Sequence, residues 1–178
     1  MEHKYWIRIK KREIIFTKEG IYVPFIGIFS NKKDFEFIKK ESEKNKNKNI
    51  TILHINNNSI DNLLNIKFDV VIINQIVNNI EDINKILANI KFLVINSDIN
   101  NNLENIETNI IDYGLNQKAT ITASSINEEN IIVCVQRNIN NINNKLIEIN
   151  EEKISMEKYK NKGIYNKLIL YILKIIFE

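Results

Sequence analysis

The stretch ITILHINNNSIDNLLNIKFDVVIINQIVNNIEDINKILANIKFLVIN, residues 50–96, decides the fold class. It holds three compact apolar runs, ITILHI (50–55), FDVVIIN (68–74) and KFLVIN (91–96), each about the length of a strand. Val70, Val71, Ile72 and Ile73 follow one another without polar interruption, as in a strand buried on both faces. Between the runs the apolar spacing becomes helical, first at Ile60, Leu63 and Leu64, then at Ile80, Ile83, Ile86, Leu87 and Ile90. Strands alternating with helical segments imply a parallel sheet with right-handed crossovers.

Working outward, NIIDYG (109–114) adds a further strand. ATITASSI (119–126) and NIIVCVQR (130–137) alternate and are split by NEE, which predicts an antiparallel hairpin. KLIEINEEKIS supplies a further candidate strand. The tail GIYNKLILYILKIIFE reads as a core-packing helix with Leu168, Leu170, Tyr171, Ile172, Ile175 and Ile176 on its apolar face. It falls short of the roughly 20 residues that span a bilayer and contains Lys167 and Lys174. Upstream, residues 5–28 read as β-structure with a turn at KEG (18–20), and Pro24 argues for an edge or irregular strand. NKKDFEFIKKESEK reads as a short surface helix with Asn31 as N-cap and Phe35, Phe37 and Ile38 as its apolar positions. The expected architecture is a single α/β domain over 1–178 with a mainly parallel, Rossmann-like sheet. It divides into a β-rich N-terminal segment plus surface helix (1–49), an α/β core (50–114), and a β-hairpin extension with a C-terminal helix (115–178). Whether the N-terminal strands join the main sheet is left open.

With 44% hydrophobic and 26% charged residues, the 178-residue chain has globular composition. A net charge of +3, with Lys scattered among Asp and Glu, does not point to nucleic acid. Polar runs such as NKNKN (45–49) and NINNINN (138–144) reflect AT-rich coding and read as solvated loops. One cysteine, Cys134 in IIVCV, excludes an internal disulfide framework and reads as a small buried hydrophobe. The charged opening MEHKYWIRIKKRE lacks a signal-peptide pattern, so a cytoplasmic setting is expected.

Chemistry-bearing motifs are sparse. A P-loop needs glycines whose amides can approach phosphate, then a Lys. FIGIFSNKKD (25–34) offers only Gly27 and two lysines, and reads as a strand leaving into a turn. His3 and His54 have no second ligand at metal-binding spacing. Ser124 and Ser125 lack the glycines of a nucleophile elbow. Asp69 and Asp98 have no partner acid placed by the sequence. No catalytic residue and no metal ligand is assigned.

The order of these segments nevertheless resembles the ATP-binding central domain of the Mur ligases and their folylpolyglutamate synthetase relatives. TILHINNNSIDNL is similar to a family strand ending in a metal-binding Glu, with His54 in its place. FDVVIINQIVNNIED resembles the strand that the family ends in Thr-Asn: Ile73 replaces the Thr, Asn74 is kept, and Asn78-Asn79-Ile80-Glu81 replaces an Asp-His box. FLVINSD matches the strand leading into Asn-x-Asp through Asn96 and Asp98, a region that lies beside the nucleotide in the family. IIDYGLNQKATITASSI is similar to the Tyr-Gly signature, and GIYNKLILYIL to a Gly-x-x-Asn helix through Gly163 and Asn166.

The resemblance therefore implies a Mur ligase-like skeleton in which P-loop, metal-binding Glu and Asp-His box are replaced. The chain also ends where the family's C-terminal domain would begin. Phosphoryl transfer depends on positioned charge, so a catalytically inactive binding or interaction module is expected. Its partner would be a protein, linked through the resemblance to cell-wall synthesis. One alternative is a regulator holding a nucleotide or nucleotide-sugar, with ATP doubtful, at Asn74, Asn96 and Asp98; simple strand-end capping is the preferred reading of these residues. Another is an ATP-dependent amide ligase completed by a partner chain.

Overall fold

In the computed structural model the described residues are 5–9, 12–16, 23–44, 50–99, 103, 106–155 and 163–178, the first two segments as backbone strands only. Those two, β1 (Tyr5–Ile9) and β2 (Arg12–Phe16), form an antiparallel pair. The expected turn at 18–20 lies outside the described residues.

The principal sheet has eight strands. They are β3 (Phe25–Phe29), β4 (Thr51–Ile55), β5 (Val70–Ile73), β6 (Phe92–Asn96), β7 (Asn109–Gly114), β8 (Ile121–Ile126), β9 (Asn130–Val135) and, after a small pair β10 (Ile139–Asn140) and β11 (Leu146–Ile147), β12 (Asn150–Ser155). Their spatial order is β4-β3-β5-β6-β7-β8-β9-β12. Strands β4 through β8 run parallel, and only β9 reverses direction against its neighbours β8 and β12. The parallel region thus extends beyond the expected 50–114 core by two strands: β3, whose placement the sequence leaves open, and β8, which pairs with β7 as well as with its hairpin partner.

Pro24 does not place β3 at an edge. It stands just before the strand, where its missing N–H costs no ladder bond and its carbonyl accepts from Thr51 N at 2.9 Å. β3 is therefore internal, paired with β4 and β5. Gly27 is needed there for close approach: a Cβ would collide with the Ile55 side chain and press on Phe68.

Helices cover both faces of the parallel region. On one side α1 (Lys32–Lys44) and α3 (Ile164–Ile176) pack with Ile26, Ile28, Ile52, Ile72 and Val94. On the other, a single 3-10 turn (Ile60–Leu63) and α2 (Ile80–Leu87) pack with Phe29, Ile55, Phe68, Val71, Ile73 and Leu93. The uninterrupted run Val70–Ile73 fits this arrangement, since all four side chains are fully buried with successive ones facing opposite layers. Among the described residues no helix is long and apolar enough to cross a membrane.

Two features of the topology locate a site. The chain leaves β3 for β4 on one flank and then crosses back to β5 on the other, so β3 and β5 flank the topological switch point. β8 pairs with β7 only at Tyr113–Ile121 and Gly114–Thr122. The rest of β8, with β9 and β12, consequently projects beyond the carboxyl ends of the central strands.

Candidate functional site at the carboxyl ends of the strands

The three residues singled out from the sequence come together at the switch-point end of the sheet. Asn74 follows the last residue of β5, Asn96 ends β6, and Asp98 lies two residues further on. Adjacent parallel strands bring their ends side by side, and the Asn96 Nδ2 donates to Asn74 Oδ1 at 3.1 Å. Asn96 Oδ1 accepts the Asp98 backbone N–H at 3.0 Å, a local Asx turn that swings the chain off the strand. Tyr113, one position before the end of β7, reaches across β6 so that its hydroxyl donates to the same Asn74 oxygen at 2.8 Å.

Asp98 is held by three donors from two segments, the loop after β7 and the first turn of α3. Its Oδ2 accepts from Leu115 N at 2.5 Å and from the Tyr165 hydroxyl at 3.1 Å, and its Oδ1 accepts from Asn116 Nδ2 at 2.8 Å. Gly114 makes this possible, since a Cβ there would stand 2.8 Å from Asp98 Oδ2 and 2.9 Å from Asn116 Nδ2. Partial loss of solvent pushes the Asp98 pKa upward, but the hydrogen bonds from Asn116, Leu115 and Tyr165 outweigh it and hold the carboxyl below its ordinary value. Tyr113 moves the other way. Burial, reinforced by Tyr165, Asp34 and Asp98, raises its pKa well above the usual phenol range, so it remains a neutral donor. The two tyrosine rings meet edge to face with centroids 6.5 Å apart.

On the other side of the switch point, only Ser30 and Asn31 separate β3 from α1. Asn31 Oδ1 accepts from Asp34 N at 2.9 Å and Asn31 Nδ2 donates to Asp34 Oδ2 at 2.6 Å, a reciprocal cap. Asn79 and Asp82 repeat it at the start of α2, at 3.1 and 2.6 Å. The remaining oxygen of Asp34 accepts from Asn166 Nδ2, in the first turn of α3, at 2.6 Å. Asn166 is only 2% exposed, and its own Oδ1 has no partner. Beside this junction His54 stacks on Phe35 at 4.5 Å and stands 2.7 Å from the Ser30 carbonyl. A carbonyl can only accept, so Nε2 carries the proton.

ATP phosphates do not fit this arrangement. An anion at a helix N-terminus needs backbone amides pointing outward and no competing negative charge. The α1 terminus instead holds its own carboxylate, turned toward it by Asn31 and covered by Asn166. Among the described residues no group of three or more His, Cys, Asp or Glu is placed to hold a metal ion.

The other residues weighed from the sequence have structural surroundings. Asp69 sits at the opposite, amino-terminal end of the strands, where it accepts from Phe25 N at 2.9 Å and pairs with Lys91 at 3.2 Å. It is therefore not brought to Asp98. Cys134 is buried and donates to Glu151 at 3.1 Å; burial, partly offset by Ser124, pushes its thiol pKa up, away from nucleophilic character. Ser124 and Ser125 lie on β8 beside a bulge.

Asn74, Asn96 and Asp98 thus share one network, and the structure adds Tyr113, Asn116, Tyr165, Asp34 and Asn166 around them. Of these, Tyr113 and Asn116 lie inside the stretch IIDYGLNQKATITASSI and Tyr165 and Asn166 inside GIYNKLILYIL, whereas Asp34 lies outside both. The spacing Asn31-x-x-Asp34 is a capping signal that carries no hint of its long-range partner. No protein-family model matches the chain, and no curated protein matches it.

Proposed function

We propose that this chain is a non-catalytic, Mur ligase-like α/β module that acts in the cytoplasm by binding a protein partner, in the setting of cell-wall synthesis that the resemblance implies. The observation that supports this reading is the β3–α1 junction. Two residues leave no room for an amide cradle, and Asp34 puts negative charge where a phosphate would have to sit. Phosphoryl transfer rests on positioned positive charge, so the inversion of sign opposes it directly. Asn74, Asn96 and Asp98 further support a structural role, because they bond to one another and to neighbouring side chains. Around them the carboxyl rim carries exposed aliphatic side chains: Ile76 after β5, Leu115 after β7 and Ile126 at the end of β8, which are 63%, 42% and 50% exposed. Such a rim suits a protein surface better than an anionic nucleotide.

Titration of the purified chain with Mg-ATP, read by calorimetry and phosphate release, tests the proposal. The expected result is neither heat of binding nor release above a denatured control. Release above that control would overturn the loss of catalysis. Binding without turnover would favour the nucleotide-regulator reading instead. A captured native partner should be lost from the Ile76→Lys/Leu115→Lys double variant, and its undiminished retention would exclude the rim as the contact.

A further inference from the structure

Among the described residues the sheet ends at β4 and β12, and these two edges are built differently. β12 carries Glu151, Glu152 and Lys153 in succession. Pairing it with a second β12 about a two-fold axis normal to the sheet would oppose Lys153 to Lys153 or, one residue over, Glu152 to Glu152. Like charges directly opposite destabilise a strand pair, so this edge is guarded. β4 reads Thr-Ile-Leu-His-Ile, without an acid, a lysine, a proline or a bulge.

Thr51 N donates inward to Pro24, so by the alternation of the ladder Thr51, Leu53 and Ile55 bond toward β3. Ile52 and His54 therefore direct their N–H and C=O groups away from the sheet, and no backbone group among the described residues takes them up. The layer beneath is also half-open on this flank, where Leu53, Leu63, Leu64 and Ile66 are only partly buried.

We propose that a second copy of the chain occupies this edge, joined β4 to β4 in antiparallel fashion about a two-fold axis through Leu53. This goes beyond the proposed function, because it concerns the flank rather than the carboxyl rim. In that register Ile52 lies opposite His54 of the second copy, and the symmetric pair supplies four N–H···O=C bonds from the groups that face outward. Leu53 meets Leu53 at the closer, non-hydrogen-bonded position, and Thr51 lies opposite Ile55. No like charges meet within the strand pair. The two-fold keeps both copies of α1 on one face. α1 crosses from β3 to β4 and packs against β4. With strands about 4.8 Å apart, two such helices would lie about 10 Å apart, at the distance of packed helices.

Sedimentation equilibrium of the full chain over micromolar to millimolar concentrations tests this, together with amide exchange at each concentration. A monomer–dimer equilibrium is expected, with the Ile52 and His54 amides gaining protection as the dimer forms. Leu53→Lys should weaken the dimer at least about tenfold, whereas Lys153→Glu, which keeps like charges opposed on β12, should leave it unchanged. A chain that stays monomeric at every concentration overturns the proposal. So does a dimer in which the Ile52 and His54 amides exchange as fast as in the monomer, a readout that needs no variant to fold.

Discussion

Asn166 donates to Asp34 across 132 residues of sequence, fastening the first turn of α3 to the first turn of α1. The bond places a carboxylate and its cover over the end of β3, at the switch point where open α/β sheets ordinarily receive ligands. The Asp34 side chain thereby braces the Asn31 cap, joins two helices of the same layer and sets the sign of the local charge. The same Asn166 leaves its carbonyl without a partner, a buried acceptor whose desolvation the fold must offset elsewhere.

That link should be measurable as a coupling energy. In a double-mutant cycle of Asp34→Ala and Asn166→Ala, the pair should show about 1–2 kcal/mol of interaction in chemical denaturation, as expected for a partly buried bond to a charged group. The bond between the Asn31 and Asp34 side chains is lost in both Asp34→Ala steps of the cycle and cancels. Strict additivity of the two single changes would show that α1 and α3 are held by apolar packing alone.

Gly114 provides a second test, because its lack of a side chain is needed by its neighbours rather than by its own backbone angle. Gly114→Ala should drive Asp98 and Asn116 apart and cost about 1–3 kcal/mol of stability. Combining it with Asp98→Ala should recover part of the loss, since the closest atoms belong to the Asp98 carboxylate. An additive double variant would exclude that explanation.

How far the fold could be read in advance follows from the range over which each signal acts. The buried run Val70–Ile73 and the helical spacing around Ile83 and Leu87 are local, and both elements stand where periodicity puts them. The placement of β3 is not local. Pro24 signals an edge only if its missing N–H falls within a ladder, and here it falls one residue outside. The same distinction separates the parts of the site. Asn74, Asn96 and Asp98 sit at strand ends, which the apolar runs mark, so their approach follows once the strands are parallel neighbours. Asp34 announces a helix cap but not Asn166, and Tyr113 gives no sign that its hydroxyl reaches over β6 to Asn74. Those contacts depend on how α3 lies against α1 and on β-strand order, neither of which has a signature in residue spacing.

The lowered pKa of Asp98 makes one part of stability depend on pH, with a definite sign. Because the folded state favours the carboxylate, its contribution is fully present above the ordinary value of 3.8 and is lost as pH falls through the lower, folded value. Asp98 is substantially exposed, so solvent screening limits the effect; Asp98→Asn should cost about 1 kcal/mol at neutral pH. An asparagine cannot accept from Leu115 N, Asn116 and Tyr165 together with the strength of a carboxylate. The gap between wild type and Asp98→Asn should therefore stay constant from neutral pH down to about pH 5 and narrow below the ordinary carboxylate range. Urea unfolding of both proteins at a series of pH values measures it. A gap that persists undiminished in acid would mean that Asp98 contributes through shape rather than charge, and the hydrogen bonds from Leu115, Asn116 and Tyr165 would then carry no charge-assisted energy.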